Sequence, residues 1–270
     1  MKPILSIIIP CFNSEATLDT TLESVLNQKY QNWEAVIVND GSTDETEDIA
    51  LRWVNRDGRF KYYSKQNEGL GKTRNFAINK SCATLILPLD SDNQLEENFV
   101  QDAISVFETN PNIGVVYGHA QFFGKKSGFW KVEEYKLEQI LIENYIDACA
   151  IYKKGLWEQV GGYDENMPYQ GLEDWELWIA FGAINVNFFH LNKITFNYYV
   201  SENSMIRSFT NEMALLSRDY IIKKYSKLYH YYLNKSISEN KLLHEKMKSE
   251  KFVVNLFTKM VFGFKMFRSV

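Results

Sequence analysis

The sequence predicts an α/β protein in which a mostly parallel sheet is flanked on both faces by helices and followed by a helical extension. Three observations carry this. Over the first hundred residues, short apolar runs of strand length alternate with amphipathic helical stretches, the pattern of repeated strand–helix crossovers. Polar, acidic or glycine-rich segments follow those runs, where open sheets of this kind bind their ligands. From about Ser208 onward the chain reads as helix throughout.

The elements follow in order. Ile4 to Pro10, "ILSIIIP", is an apolar run of buried-strand length, and Ser14 is expected to cap a helix whose Leu18, Leu22, Val25 and Leu26 share one face. "WEAVIVND" gives a second strand, after which Ser42 and Glu45 read as a capping box for the helix carrying Ile49 and Val54. "FKYYSK" is a third strand; it leads through "NEGLGKTRN" into a helix from about Gly71 to Lys80. "TLILPLD" is a fourth, ending at Asp90. Asp40-Gly41-Ser42, Asn67 to Arg74, and Asp90-Ser91-Asp92 all fall at strand ends, so three segments distant in sequence are expected to meet in one crevice. After about Asn110 the runs "GVVYGHAQFF", "DACAIY", "VNFFH" and "ITFNYYV" read as strands interleaved with short helices rich in Trp and Tyr. The expected organisation is a body of residues 1–207, with halves 1–109 and 110–207, and a helical tail, 208–270.

With 270 residues the chain can bury a full core. Its net charge is −4, unevenly distributed: from Arg218 onward 12 Lys and Arg face 4 Asp and Glu, against 18 and 30 before it. A tail of +8 on a body of −12 points to an anionic partner for the tail, lipid or nucleic acid. The last twenty residues mix Phe, Val and Met with Lys259, Lys265 and Arg268, which favours a lipid interface and not nucleic acid, and they are too short and interrupted to span a bilayer. The alternative is a helix packed on the protein's own core or on a second copy in a homo-oligomer. Pro10 interrupts the opening apolar run, so no secretion leader is read there and a cytoplasmic location is expected. Cys11, Cys82 and Cys149 lack metal or redox spacing and are expected as reduced core residues.

Gly71-Lys72-Thr73 has the look of a nucleotide-hydrolase phosphate loop, but the position five residues before Gly71 is Gln66, where that motif needs glycine. Glycines opening a helix still serve anions through its first amides. Asp90 and Asp92, alternate residues on a strand-end turn, can aim two carboxylates at one hard cation; the same residues in a turn also commonly hydrogen-bond only their own backbone. Glu173-Asp174 open a helix whose apolar stripe is Leu177, Trp178 and Phe181. Acids there are favoured by the helix dipole without any function, yet the glycine-rich loop before them points one carboxylate toward a substrate as general base. Of the rings Trp130, Tyr163, Trp175 and Trp178, Trp175, next to Asp174, is the one expected to stack on an apolar face of a substrate.

The stretches "SIIIPCFNSEATLDTTLESVLNQ", "VNDGSTDET", "NEGLGKTRN", "LDSDN", "GGYDE" and "EDWELW" stand in the order and spacing of the family 2 glycosyltransferases, which the chain resembles from roughly Lys2 to Met205. The resemblance implies a GT-A fold and a metal-dependent, inverting hexosyl- or N-acetylhexosaminyltransferase. It would move sugar from a UDP-sugar to a hydroxyl of a glycan or lipid-linked glycan in cell-surface polysaccharide synthesis, peripheral at the inner face of the plasma membrane. A noncatalytic nucleotide-sugar-binding or scaffold protein on the same fold is the alternative. Carried over by residue, the resemblance implies that Pro10, Phe12 and Glu15 border the nucleoside and that Asp40 accepts from uracil N–H. Asn67 and Arg74 line base and ribose, with Gly71 and Ser91 also at the donor. Asp90 meets ribose or a metal-bound water, and Asp92 binds Mn²⁺ or Mg²⁺. Asp174 is the base, and Glu173 binds acceptor or positions its loop. The family's Tyr-Arg-x-His before a Ser is replaced here by Tyr198-Tyr199-Val200-Ser201 before Ser204. Arg207 is then the candidate for diphosphate charge. His190 is a candidate ligand, although a lone His at a strand end is more often structural.

Overall fold

The computed structural model describes residues 2–201 and 210–267. Arg207, Ser204 and Arg268 lie outside the described residues. The chain forms two compact units, residues 1–221 and 222–270.

The first unit is built on one nine-stranded sheet. Four strands make its parallel half: β1 (Leu5–Cys11), β2 (Trp33–Asp40), β3 (Phe60–Lys65) and β4 (Leu85–Pro88), in the spatial order β3-β2-β1-β4. Leu5 pairs with both Trp33 and Leu85, so the three central strands start level and deliver their carboxyl ends to one edge. β1 and β2 are buried along their whole length, as expected of parallel strands covered on both faces. The other half is mixed: β6 (Ile113–Gly124) pairs in parallel with β9 (Asn187–Val200), whereas β8 (Ile151–Lys153), β7 (Gly128–Trp130) and β5 (Gln94–Leu95) join antiparallel.

Helices α1 (Leu18–Leu26), α2 (Thr46–Arg56) and α4 (Phe99–Thr109) share one core with the odd-numbered residues of β1: Leu5, Ile7 and Ile9 pack with Leu22, Trp53, Phe99 and Ile104. The period-2 pattern of the strand divides the sheet's two faces, and α3 (Leu70–Lys80) lies against β1 and β2 with Ala77 and Ile78 buried. The rest of the unit adds α5 (Leu137–Ile140), α6 (Lys154–Val160) and α7 (Glu173–Ala183).

Several local expectations change. Ser14 does not cap α1, which begins at Leu18; its Oγ meets Ser91 Oγ at 2.7 Å and ties the end of β1 to the turn after β4. The capping box fails too, because Ser42 Oγ is taken by the Asn13 amide, and Asp44 Oδ1 accepts from Thr46 N at the start of α2. "VNFFH" and "ITFNYYV" are one strand, β9, kept continuous by register shifts against β6 around His119. Cys11 and Cys149 are buried thiols, but Cys82 is exposed, because it sits at the loop where its amide donates to Glu34. The body also extends past 207: in α8 (Asn211–Lys224), Ser217 and Ile221 are fully buried. Arg218 donates to the Ile142 carbonyl at 3.1 Å, and Tyr220 reaches Asp164 at 2.9 Å.

The second unit contains α9 (Ser226–Met247) and α10 (Glu250–Phe262), packed on each other. No helix among the described residues is long and apolar enough to cross a membrane.

Candidate active site

The site is assembled at the carboxyl ends of β1, β2 and β4 by loops laced together. Past β1, Asn13 takes a left-handed conformation (φ 49°); its amide donates to Ser42 Oγ at 2.9 Å and its Oδ1 accepts from Thr43 N at 2.9 Å. Glu15 bonds the Glu45 amide at 2.9 Å. Glu15 and the ring of Phe12 stand exposed beside this lacing, and Pro10 is buried in β1.

Asp40 is buried, and both of its carboxylate oxygens accept hydrogen bonds from within the protein. Oδ1 accepts from Lys65 Nζ at 2.6 Å and Glu68 N at 3.0 Å, and Oδ2 from Gly69 N at 2.9 Å. Asp40 therefore shapes the glycine loop. The junction of β2 with that loop needs glycine on both sides: Gly41, just after β2, has φ 78°, and a Cβ there would lie 2.9 Å from Asn67 N; Gly69, in the loop, has φ 94°. Gln170 crosses from the other side and accepts from Leu70 N at 2.8 Å. Asn67 is exposed, while Gly71 is buried with Glu173 Cγ 3.3 Å from where a Cβ would stand.

Arg74, on α3, is 2 % exposed. Its Nη2 donates to Asp90 Oδ1 at 2.7 Å, its guanidinium lies over the Tyr163 ring at 5.5 Å, and its Nε has no partner among the described residues. Burial works against its charge, but Asp90, Tyr163, Glu173 and Asp174 outweigh it and hold the guanidinium protonated more firmly than usual. Four acids of this region have raised pKa values, and burial is the largest cause in each. Asp92 is pushed up to about 7, with Asp90 adding repulsion. Asp147 reaches about 8 with help from Asp90 and Asp174. Glu173 is raised despite Arg74. Asp174 is raised to about 6, restrained by Arg74 and raised by Glu173.

The two acids at the start of α7 are held differently. Glu173 is buried and turns back to accept from Gly171 N at 2.8 Å, bracing its own loop. Asp174 is half-buried; Oδ1 accepts from Trp175 N at 2.7 Å and Oδ2 from Asn144 Nδ2 at 3.0 Å. Trp175 is a correction: it is 2 % exposed, its indole N–H donates to the Ile140 carbonyl, and Arg218 lies 4.9 Å over its ring, so it offers no face to a sugar. Trp178 and Tyr163 are likewise buried, and Trp130 stacks on Phe122 with centroids 5.7 Å apart. His190 packs against His119 at 4.6 Å, and burial lowers its pKa. It belongs to an aromatic cluster with Tyr117.

Asp147, Asn144, Asn75 and Gln170 went unread in the sequence. Asn75 joins α3 to the loop after α6: it donates to the Tyr163 carbonyl and Glu165, each at 2.9 Å, and accepts from Trp157 Nε1 and Tyr163 N. Asp147 stands just before the apolar run "ACAIY", where a single acid reads as ordinary strand punctuation. An open cleft of about 530 Å³ lies between the glycine loop and residues 164–173, reaching Glu173; Asp90 and Asp92 are not among its lining residues.

No group of three or more His, Cys, Asp or Glu among the described residues is disposed to hold a metal ion. Asp92 has no side-chain partner among them, and it sits beside Asp90 where acids outnumber the one buried guanidinium. This donor set fits a hard divalent ion as two carboxylates completed by ligand oxygens and water.

The pattern of "Glycosyl transferase family 2" matches residues 6–180. The chain belongs to that family. An uncharacterized glycosyltransferase of Rickettsia prowazekii, RP339, is 26% identical over 254 residues, covering 90% of this chain and 75% of that protein. Chondroitin synthase of Escherichia coli is 26% identical over 212 residues, 76% of this chain and 30% of that one. Among solved structures, S. aureus TarS 1–349 in complex with UDP-GlcNAc superposes with a TM-score of 0.66 at 22% identity, covering 77% of this chain and 61% of that one. The fold is GT-A, and the enzyme class is glycosyltransferase.

Proposed function

We propose that this family 2 enzyme transfers a hexosyl or N-acetylhexosaminyl group from a UDP-sugar to a hydroxyl of a glycan or lipid-linked glycan, with inversion. The observation that carries this is Asp174: a half-buried carboxylate raised to about 6, aimed by Asn144 and the Trp175 amide, in electrostatic reach of Arg74. A carboxylate so tuned is still mostly ionised near neutrality and is a better base than an ordinary one.

In this reading Phe12 borders the nucleoside and the Asp40-ordered glycine loop presents backbone beside the donor. Arg74 supplies fixed positive charge among the acids. Asp92 and Asp90 are the residues to hold Mn²⁺ or Mg²⁺, which when bound would offset charge on the departing diphosphate. Asp174 takes the acceptor hydroxyl proton as that oxygen bonds to the anomeric carbon, and the bond from that carbon to the UDP oxygen breaks on the opposite side. The bonding electrons leave with UDP, and the anomeric configuration inverts. Glu173 positions the acceptor loop through Gly171. The +8 tail would attach the enzyme to an anionic membrane at the cytoplasmic face.

Nucleoside diphosphate release, UDP or GDP, from a panel of UDP- and GDP-sugars, with Mn²⁺, Mg²⁺ or chelator, tests the reading. Metal-dependent turnover of a UDP-sugar is expected; saturable UDP binding with no turnover across candidate acceptors marks the noncatalytic alternative instead.

A further inference from the structure

The second unit presents its apolar side chains outward. On α10, Asn255 and Thr258 are 6% and 7% exposed, and with half-buried Phe252 they form the inward side at a spacing of three. Leu256, Phe257, Met260 and Val261 recur at i, i+1, i+4 and i+5 on the opposite side and are open to solvent, Met260 at 79%. A helix stabilised by its own core would place these faces the other way round.

The segment that follows extends the same surface. Gly263 ends α10 at φ 78°, and the buried Asn255 clamps the returning chain, donating to the Phe267 carbonyl at 2.9 Å and accepting from Phe267 N at 2.7 Å. The clamp holds a tight turn in which Phe264 and Met266 are exposed on either side of Lys265. A buried amide is thus used to brace a tip that displays two large apolar side chains to solvent.

Charge decides what covers this face. Residues 222–270 carry 11 Lys and Arg against 3 Asp and Glu, so pairing this face with the same face of a second copy would set +8 against +8, whereas an anionic bilayer offers opposite charge and an apolar layer together. Lys265, between Phe264 and Met266 in the turn, can lay its alkyl stem along the apolar surface while its ammonium group stays at the phosphates.

We propose that α10 and the Asn255-clamped turn form an interfacial insertion element. Phe257, Met260, Phe264 and Met266 enter the acyl boundary of an anionic membrane, and the surrounding lysines engage lipid headgroup phosphate. This rests on the peripheral attachment proposed above and names the face that makes it.

The test is flotation of the full chain with vesicles of phosphatidylcholine alone or mixed with phosphatidylglycerol, at low and high salt. The protein is expected to float with the anionic vesicles. The double substitution Phe257→Glu, Met260→Glu changes only exposed positions, and it should lower the partition coefficient at least about tenfold with helicity and UDP release unchanged. In a separate variant, Phe264→Trp, the indole emission should shift to the blue on adding anionic vesicles. Flotation of the double variant equal to the parent, or an unshifted Phe264→Trp, overturns the insertion element while attachment stands. A parent that ignores anionic vesicles at low salt overturns attachment as well, and UDP release reports on the transferase reading independently. A dimeric parent made monomeric by the double substitution, with flotation unaltered, assigns the face to a second copy and also overturns the proposal.

Discussion

Arg74 Nη2 lies 2.7 Å from Asp90 Oδ1, with the arginine side chain almost wholly buried and the aspartate's 34% exposed. The pair runs from the protein interior to a partly exposed carboxylate, so a charge fixed from below is delivered among the acids of the proposed site. Burial of the guanidinium is tolerable because Asp90, Glu173 and Asp174 all act to keep it charged.

Arg74→Gln should therefore change the pH dependence as well as the rate. Arg74 restrains the pKa of Asp174, now about 6. Without it the carboxylate deprotonates at higher pH, and the acidic limb of UDP release moves upward. The pH–rate profiles of parent and variant read this directly; coincident acidic limbs would show that Arg74 is not coupled to the base.

Asp92→Ala should abolish the metal-dependent part of UDP affinity and leave the thermal midpoint nearly unchanged, since Asp92 has no side-chain partner to lose among the described residues. Calorimetric titration with UDP in Mn²⁺ or chelator measures it. Metal-enhanced binding that survives in the variant puts the metal elsewhere.

Gln170 joins the loop before α7 to the glycine loop through one hydrogen bond from Leu70 N, and its own side chain is exposed. Gln170→Ala removes a contact with a net contribution of about 1 kcal/mol. Amides of residues 164–171 should exchange roughly fivefold faster in deuterium, while those of β1 and β2 stay as protected as before. Unchanged exchange in the loop would mean that Asn75, Tyr220 and Glu173 hold it without Gln170.

What the sequence made legible follows from where its signals are local. β2 and β3 match their predicted runs to the residue, because apolar runs bounded by polar turns are set by near neighbours. The convergence of Asp40, Arg74 and Asp90 follows from strand direction alone. The caps failed because Ser14 and Ser42 are recruited across the site, Ser14 by Ser91 and Ser42 by Asn13, and no local pattern announces a long-range partner. Trp175 was misread for a related reason: adjacency to Asp174 in sequence puts it about 100° round the helix, into the core beneath Arg218. Asp147 becomes visible only when the fold sets it near Asp90 and Asp174.

Asp174 and Glu173 separate by what each carboxylate touches. Glu173 is engaged with Gly171 N inside its own loop, whereas Asp174 is half-buried, aimed by Asn144, and ionises near 6. A base must be unprotonated to act, so transfer should rise with pH through about 6 and level off above it. Asp174→Asn keeps the size and much of the hydrogen bonding but cannot accept a proton. It should lose transfer on the order of 10² to 10⁴-fold and retain UDP-sugar affinity, because the base matters only as the acceptor oxygen becomes nucleophilic. Its residual activity should lack the limb near 6. Glu173→Gln should raise KM for the acceptor by loosening the loop, with a smaller effect on kcat and with the limb still present. Steady-state kinetics of the two variants across pH 5 to 9 decides between them. A dead Glu173→Gln beside a normally active Asp174→Asn would reverse the two roles.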